Sequence, residues 1–141
     1  MVTEMAWTND WETFVNDVGE LFRRGLDNNM VSERFAGKRV VWKGTVAGKR
    51  LGIARPGIQM TMPAVNIDFP DGKRVTVDFL FLTLRAEDLQ FWLDTEVGAT
   101  LRFATQIRRS SGPFPGIECS RLDEDGGVIL FLTDGAIPLN D

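Results

Sequence analysis

The sequence predicts a mainly β fold: a small barrel of five to six strands, with a short helix between the third and fourth strands and an amphipathic helix in front. Three observations carry this. Apolar and polar residues alternate through most of the chain after Gly37, the period of strands half-buried in a sheet. The run FPDGKRV is a hairpin turn, with proline preset for the second turn position and Asp-Gly supplying the left-handed residue. Ahead of both, apolar residues recur at spacings of three and four, the period of a helix face.

The helix is TNDWETFVNDVGELFRRGLDNN, which puts Trp11, Phe14, Val15, Val18, Leu21, Phe22 and Leu26 on one face. Asn9 and Glu12 read as a capping box, and Arg23 and Arg24 suit the negative end of the helix dipole. Gly25 or the Asn28-Asn29 pair is expected to end it. We expect the apolar stripe to pack on the rest of the domain rather than to recruit another chain.

In KRVVWKGTVA, Val40, Trp42, Gly44 and Val46 share one face and Arg39, Val41, Lys43 and Thr45 the other. In IQMTMPAVNIDF, Ile58, Met60 and Met62 have one parity and Val65, Ile67 and Phe69 the other. Pro63 and Ala64 therefore mark a bulge that keeps both sets inward. The strand after the hairpin, KRVTVDFLFLTL, is expected to place Val75, Val77, Phe79 and Phe81 on one face and Thr76, Asp78, Leu80 and Leu82 on the other. RAEDLQFWLDTE reads as a short helix with Leu89, Trp92 and Leu93 on one side. VGATLRFATQIRR returns to alternation, with Leu101, Phe103, Thr105 and Ile107 inward. SSGPFPG leads into IECSRL, and DEDGG into VILFL, which are either one interrupted strand or two.

This order of strands around a helix resembles the OB-fold, a five-stranded Greek-key barrel whose helix lies between its third and fourth strands. FAGKRVVWKGTV looks like an OB first strand, with Gly44 where that strand coils, and VGATLRFATQI looks like the fourth. The resemblance spans roughly residues 35 to 133; an open antiparallel sheet in an α+β domain is the simpler alternative. We expect one structural domain, with residues 1–34 as an N-terminal helix packed on an OB-like barrel of residues 35–141.

Composition narrows the functions. Apolar residues at 43% and charged residues at 26% are ordinary for a folded globular protein and argue against disorder. No apolar run is long enough to span a bilayer, and Trp7, Asp10 and Trp11 spoil a cleavable signal, so a cytoplasmic protein without membrane contact is expected. The single cysteine, Cys119, cannot form an internal disulfide. Histidine and tyrosine are both absent, which removes Ser-His and Cys-His nucleophiles and leaves a zinc site only carboxylates and one thiolate. No carboxylate cluster stands out for magnesium, and the acidic run at residues 123–125 is explained by its Asp-Gly-Gly turn. We therefore expect no enzyme, no cofactor and no metal.

Charge is unevenly spread. Residues 34–67 hold seven bases and no acid, whereas residues 1–33 hold seven acids against two bases and residues 118–141 six against one. A basic middle between acidic ends points either to an anionic partner or to internal complementarity. The OB resemblance implies a ligand lying across the second and third strands, clamped by the loop after the first strand and the loop after the fourth. Those loops hold Lys49, Arg50 and Arg55, and Arg108, Arg109 and Phe114: cations for phosphates and an aromatic ring for a base, the chemistry of single-stranded nucleic-acid binding. Against this, Asp68 and Asp78 are expected on the intervening face, where no aromatic platform is apparent. The competing expectation is a protein partner or self-association. Its apolar centre would be Leu80 and Leu82, if exposed, with Trp7 as an anchor; burial of the two leucines is the favoured alternative.

Overall fold

Asp10 begins the first helix, α1 (Trp11–Arg23), its carboxylate accepting a 2.7 Å hydrogen bond from the Thr13 N–H. The cap is thus Asp10, not Asn9. The computed structural model describes residues 10–50, 57–109, 116–122 and 126–139, so Asn9 lies outside the described residues. Gly25, at φ 92°, turns the chain out of α1 as expected. Asn28 and Asn29 do not end that helix but open a second, α2 (Asn28–Phe35), because the Asp27 carboxylate caps it through Met30 N–H at 2.9 Å.

Six strands follow among the described residues: β1 (Arg39–Arg50), β2 (Gly57–Asp68), β3 (Arg74–Leu84), β4 (Thr100–Ile107), β5 (Ile117–Leu122) and β6 (Gly126–Leu139). Between β3 and β4 lie a 3-10 turn, Ala86–Asp88, and a short helix, α3 (Leu89–Asp94). The sheet order is β3-β2-β1-β4-β6-β5, and a parallel pairing of β3 with β6 closes it. The fold is an OB-like Greek-key barrel of β1, β2, β3, β6 and β4, to which β5 is added. The expected IECSRL and VILFL segments are thus two strands.

The first half of β1 pairs with β4 and the second half with β2, overlapping at Thr45. Gly44 stands at that changeover; a Cβ there would lie 2.7 Å from Met62 Sδ and 3.1 Å from the Thr61 carbonyl oxygen. Beyond the changeover β2 leaves β1 and runs on with β3 as a two-stranded arm, closed by the Phe69–Lys73 turn with Gly72 at φ 87°. The β2 bulge falls between Thr61 and Val65, as Pro63-Ala64 predicts, and all of Ile58, Met60, Met62, Val65, Ile67 and Phe69 are buried.

On the other side β4 and β5 lie end to end along β6. Arg108 N–H donates to the Leu132 carbonyl and Leu132 N–H to the Gly116 carbonyl, so one residue of β6 holds both ends of the intervening loop. The neck is so tight that a Cβ on Gly116 would lie 2.3 Å from the Arg108 carbonyl oxygen. Residues 126–131 of β6 with β5 form a second arm.

The helices fill the space between the arms. Gly19 of α1 rests on Ile67 of β2, and the Trp11 indole N–H donates to the Pro63 carbonyl at 2.7 Å, fixing the bulge. Trp11 and Phe14 both meet Trp42 and Phe131, and Phe14 also meets Phe35 of α2, with ring centroids 5.0–5.7 Å apart. α2 guards the outer edge of β5. Ser32 Oγ donates to the Ile117 carbonyl and accepts its N–H, while Asn28 Oδ1 accepts from Cys119 N–H at 2.9 Å. Four residues of helix rise about 6 Å and two residues of strand about 6.6 Å, so the spacings match and the edge is satisfied.

Two expectations need correction. β3 does not keep one parity: Val75 and Val77 are buried, and then Leu80, Leu82 and Leu84, while Phe79 and Phe81 turn outward. Leu80 and Leu82 are therefore core residues, 0% and 1% exposed, as the favoured alternative had it. Leu93 does not join Leu89 and Trp92 inside; it is 47% exposed. No helix among the described residues is long and apolar enough to cross a membrane.

Ser32→Ala removes the partner of both Ile117 backbone groups, and we expect a loss of about 1–3 kcal/mol in urea unfolding. The Thr13 N–H holds the Asp10 carboxyl below its ordinary value, so its contribution is present above the carboxylate range and is lost as pH falls through it. Stability should drop as pH falls below about 5 and continue to drop below the ordinary aspartate range, and by less in Asp10→Asn, which keeps the cap without the charge.

Candidate nucleic-acid interface

The outward residues of β3 after its slip are Phe79, Phe81 and Thr83. In register beside them stand Thr61 and Gln59 of β2, and Leu132 of β6 lies opposite Phe81. The two phenyl rings meet edge to face, 5.5 Å apart at 84°, and both are half-buried. Edge-to-face packing leaves the two rings unstacked on each other. This pair is an aromatic platform on the face where none was expected. The continuous apolar run FLFL hid it, because four apolar residues in a row give no contrast between inside and outside.

Arg108 joins this face from across β6. Its Nη2 donates to Thr83 Oγ1 at 2.7 Å and its Nε pairs with Asp134 at 3.0 Å, tying β4, β6 and β3 together on the outside of the barrel. The Arg108 side chain is 19% exposed, on the strand face that carries the rings. Toward the arm, Thr76 donates to Asn66 at 2.7 Å, and Arg74 pairs with Asp68 at 2.6 Å. The hydrogen bond from Arg74 holds the Asp68 carboxyl below its ordinary range, so its charge is answered locally. Asp78 is exposed on the same strand. α1 covers the inner side of the β2–β3 arm, through Ile67, and leaves the outer face open.

The sequence-predicted loop residues fall at two ends of this face. Lys49 and Arg50 end β1, whereas Arg108 and Arg109 follow β4, whose Gln106 pairs with Arg39 at the start of β1. The two groups are on the order of 30 Å apart along the strand. Lys49 is committed to structure: its ammonium donates to the carbonyls of Trp92 and Leu93 at 3.2 Å each, and to that of Thr95, latching the end of α3 to β1. Arg50 is exposed. Arg109 is exposed and its guanidinium lies over Gly37, at the junction of α2 and β1. Arg55 and Phe114 lie outside the described residues.

A second surface lies on the outer side of β1, β4 and β6. There a groove of about 550 Å³ is floored by Val41, Ala104 and Ile137 and walled by Arg39, Arg85 and Asp134. Lys43 stands directly opposite Arg102 in the β1–β4 ladder, two like charges in register beside that groove. Among the described residues no group of three or more cysteine, aspartate or glutamate side chains is placed to hold a metal ion.

The fold and this face together define a small OB-like barrel with two half-buried aromatic rings on an outward strand face. No family model matches the chain, and no curated protein matches it. A solved structure from Klebsiella pneumoniae, described as a putative nucleic acid-binding lipoprotein, is similar at 13% identity, over 96% of this chain and 92% of that one, with a TM-score of 0.44.

Lys49→Ala should release α3 and lower stability by about 1.5–3 kcal/mol, the range for hydrogen bonds to a charged group, read by thermal or urea unfolding. Its effect on ligand binding should be smaller than that of the Phe81 change given below.

Proposed function

We propose that the chain is a non-catalytic binding module for single-stranded nucleic acid. In this reading the strand lies along the outer face of β2, β3 and β6, with bases on Phe79 and Phe81 and phosphates beside Arg108. The supporting observation is the Phe79–Phe81 pair itself, two rings at 5.5 Å on an outward strand face with a guanidinium on the same side. Stacking on aromatic rings is tolerant of base identity and is worth about 1–3 kcal/mol per base, which suits binding without strict sequence preference. Arg50 and Arg109, at the two ends, with Arg55 and Phe114 in the connections, complete the proposed contact set. Lys49 contributes through the position of α3 rather than by direct contact. The half-buried, single Cys119 suits a reducing, cytoplasmic setting for this activity.

Fluorescence anisotropy with labelled oligonucleotides tests the proposal. Binding should weaken steeply with added salt, and Phe81→Ala should reduce affinity by about 5- to 100-fold at constant salt, the equivalent of one lost stack. Absence of measurable binding at low salt would reject it.

A further inference from the structure

The outward row of β3 does not stop at the rings. Phe79, Phe81 and Thr83 are followed at the same parity by Arg85, whose backbone stays extended, at φ -83° and ψ 145°, and which walls the groove on the outer side of β1, β4 and β6. From Phe81 to Arg85 the chain advances about 13 Å. The Arg108–Asp134 pair joins the two surfaces a second time, because Arg108 bonds to Thr83 beside the rings while Asp134 lines the groove. The groove is therefore the continuation of the face that carries Phe79 and Phe81.

Across the groove three polar residues stand in one row. Gln106 of β4 is in register with Arg39 of β1 on one side and with Asp134 of β6 on the other. Residues paired in this way hold their Cβ atoms about 5 Å apart. Arg108 Nε donates to Asp134 Oδ1, and among the described residues neither Asp134 Oδ2 nor the Gln106 side-chain amide has a hydrogen-bond partner. Arg39 is exposed and enters no ion pair among the described residues, whereas Arg85 is held by Asp88 and Glu87. Beside the row lies the apolar floor of Val41, Ala104 and Ile137, in a volume of about 550 Å³ that is ordinary for a small-ligand site.

We propose that the groove takes one nucleotide of the strand bound on Phe79 and Phe81, and that it selects adenine or cytosine at that position over thymine or uracil. The inference rests on the nucleic-acid reading above. Adenine and cytosine each carry an amino group next to an unprotonated ring nitrogen. The amino group donates to Asp134 Oδ2, and the ring nitrogen accepts from the Gln106 amide. Thymine and uracil set a carbonyl oxygen where the amino group would be, and that oxygen meets a carboxylate with no proton between them. Val41, Ala104 and Ile137 cover the base, and Arg39 meets its phosphate. The rings supply affinity that tolerates any base, and the Gln106–Asp134 row makes one position selective.

Anisotropy titrations of the full chain with labelled oligomers of deoxycytidine, deoxyadenosine and thymidine, equal in length, test the proposal. Cytosine against thymine is the informative pair, since both are single-ring bases and ring size does not enter. The parent should bind the cytosine and adenine oligomers about fivefold or more tighter than the thymine oligomer. Asp134→Asn, whose amide can turn to donate as well as accept, should bring that ratio to within about twofold. A shift of Arg108 caused by the same substitution would change all three affinities alike, so it cannot imitate the loss of the ratio. Arg39→Ala should weaken all three and lower the slope of log affinity against log salt by about 0.7, the value for one phosphate of a single strand. Binding that depends on Phe81 yet is equal for cytosine and thymine would overturn this inference alone. So would a preference that survives Asp134→Asn, or a salt slope indifferent to Arg39→Ala. Absence of binding to all three oligomers would overturn the nucleic-acid reading together with it.

Discussion

The structure depends on the aromatic cluster of Trp11, Phe14, Phe35, Trp42 and Phe131. A barrel whose β2–β3 and β5–β6 strands run on as separate arms has an open end, and two-stranded arms without a packed face are marginal in water. The cluster closes that end. Trp42 belongs to the barrel wall, Phe131 to one arm, and Trp11 reaches the other through the Pro63 carbonyl, so a single knot of rings joins all three. The N-terminal helix is therefore an internal part of the core, and its position under the arms is what leaves the outer sheet face uncovered.

Much of the fold was legible in the sequence because contrast between neighbours was strong. The alternation in β1 and β4, the stripe on α1, the Pro70-Asp71-Gly72 turn and the Pro63-Ala64 slip all appear where expected. Legibility failed where contrast did. α2 buries only Val31, Ser32 and Phe35, too few to mark a period, and its inward serine looks like a surface residue until Ile117 is placed beside it. The slip in β3 falls in an all-apolar run, so either face could have been the inner one. β2, across the ladder, decides it by setting Met60 against Leu80 and Thr61 against Phe79.

The candidate site divides along the same line. Arg108 was legible as a charged residue at a strand end, but its partners, Thr83 and Asp134, are 25 and 26 residues away and come together only through the parallel closure of β3 on β6. Lys49 was equally visible as a cation, and equally silent about its use; the carbonyls it holds belong to a helix 43 to 46 residues further on. Charge in a loop locates a surface, while the contacts that decide between latch and ligand site are set by topology.

The pinched neck at Leu132 has a consequence for how such a barrel can change over time. Because one β6 residue receives Arg108 and returns to Gly116, the ladder on either side keeps its register whatever length of chain spans the two. Residues between them can be added, removed or exchanged without a shift in the strands that carry Phe81 and Arg108. The barrel thus uncouples the register of its strands from the connection that carries Arg109 and Phe114, so contacts made there and contacts made at Phe81 can be tuned apart from each other.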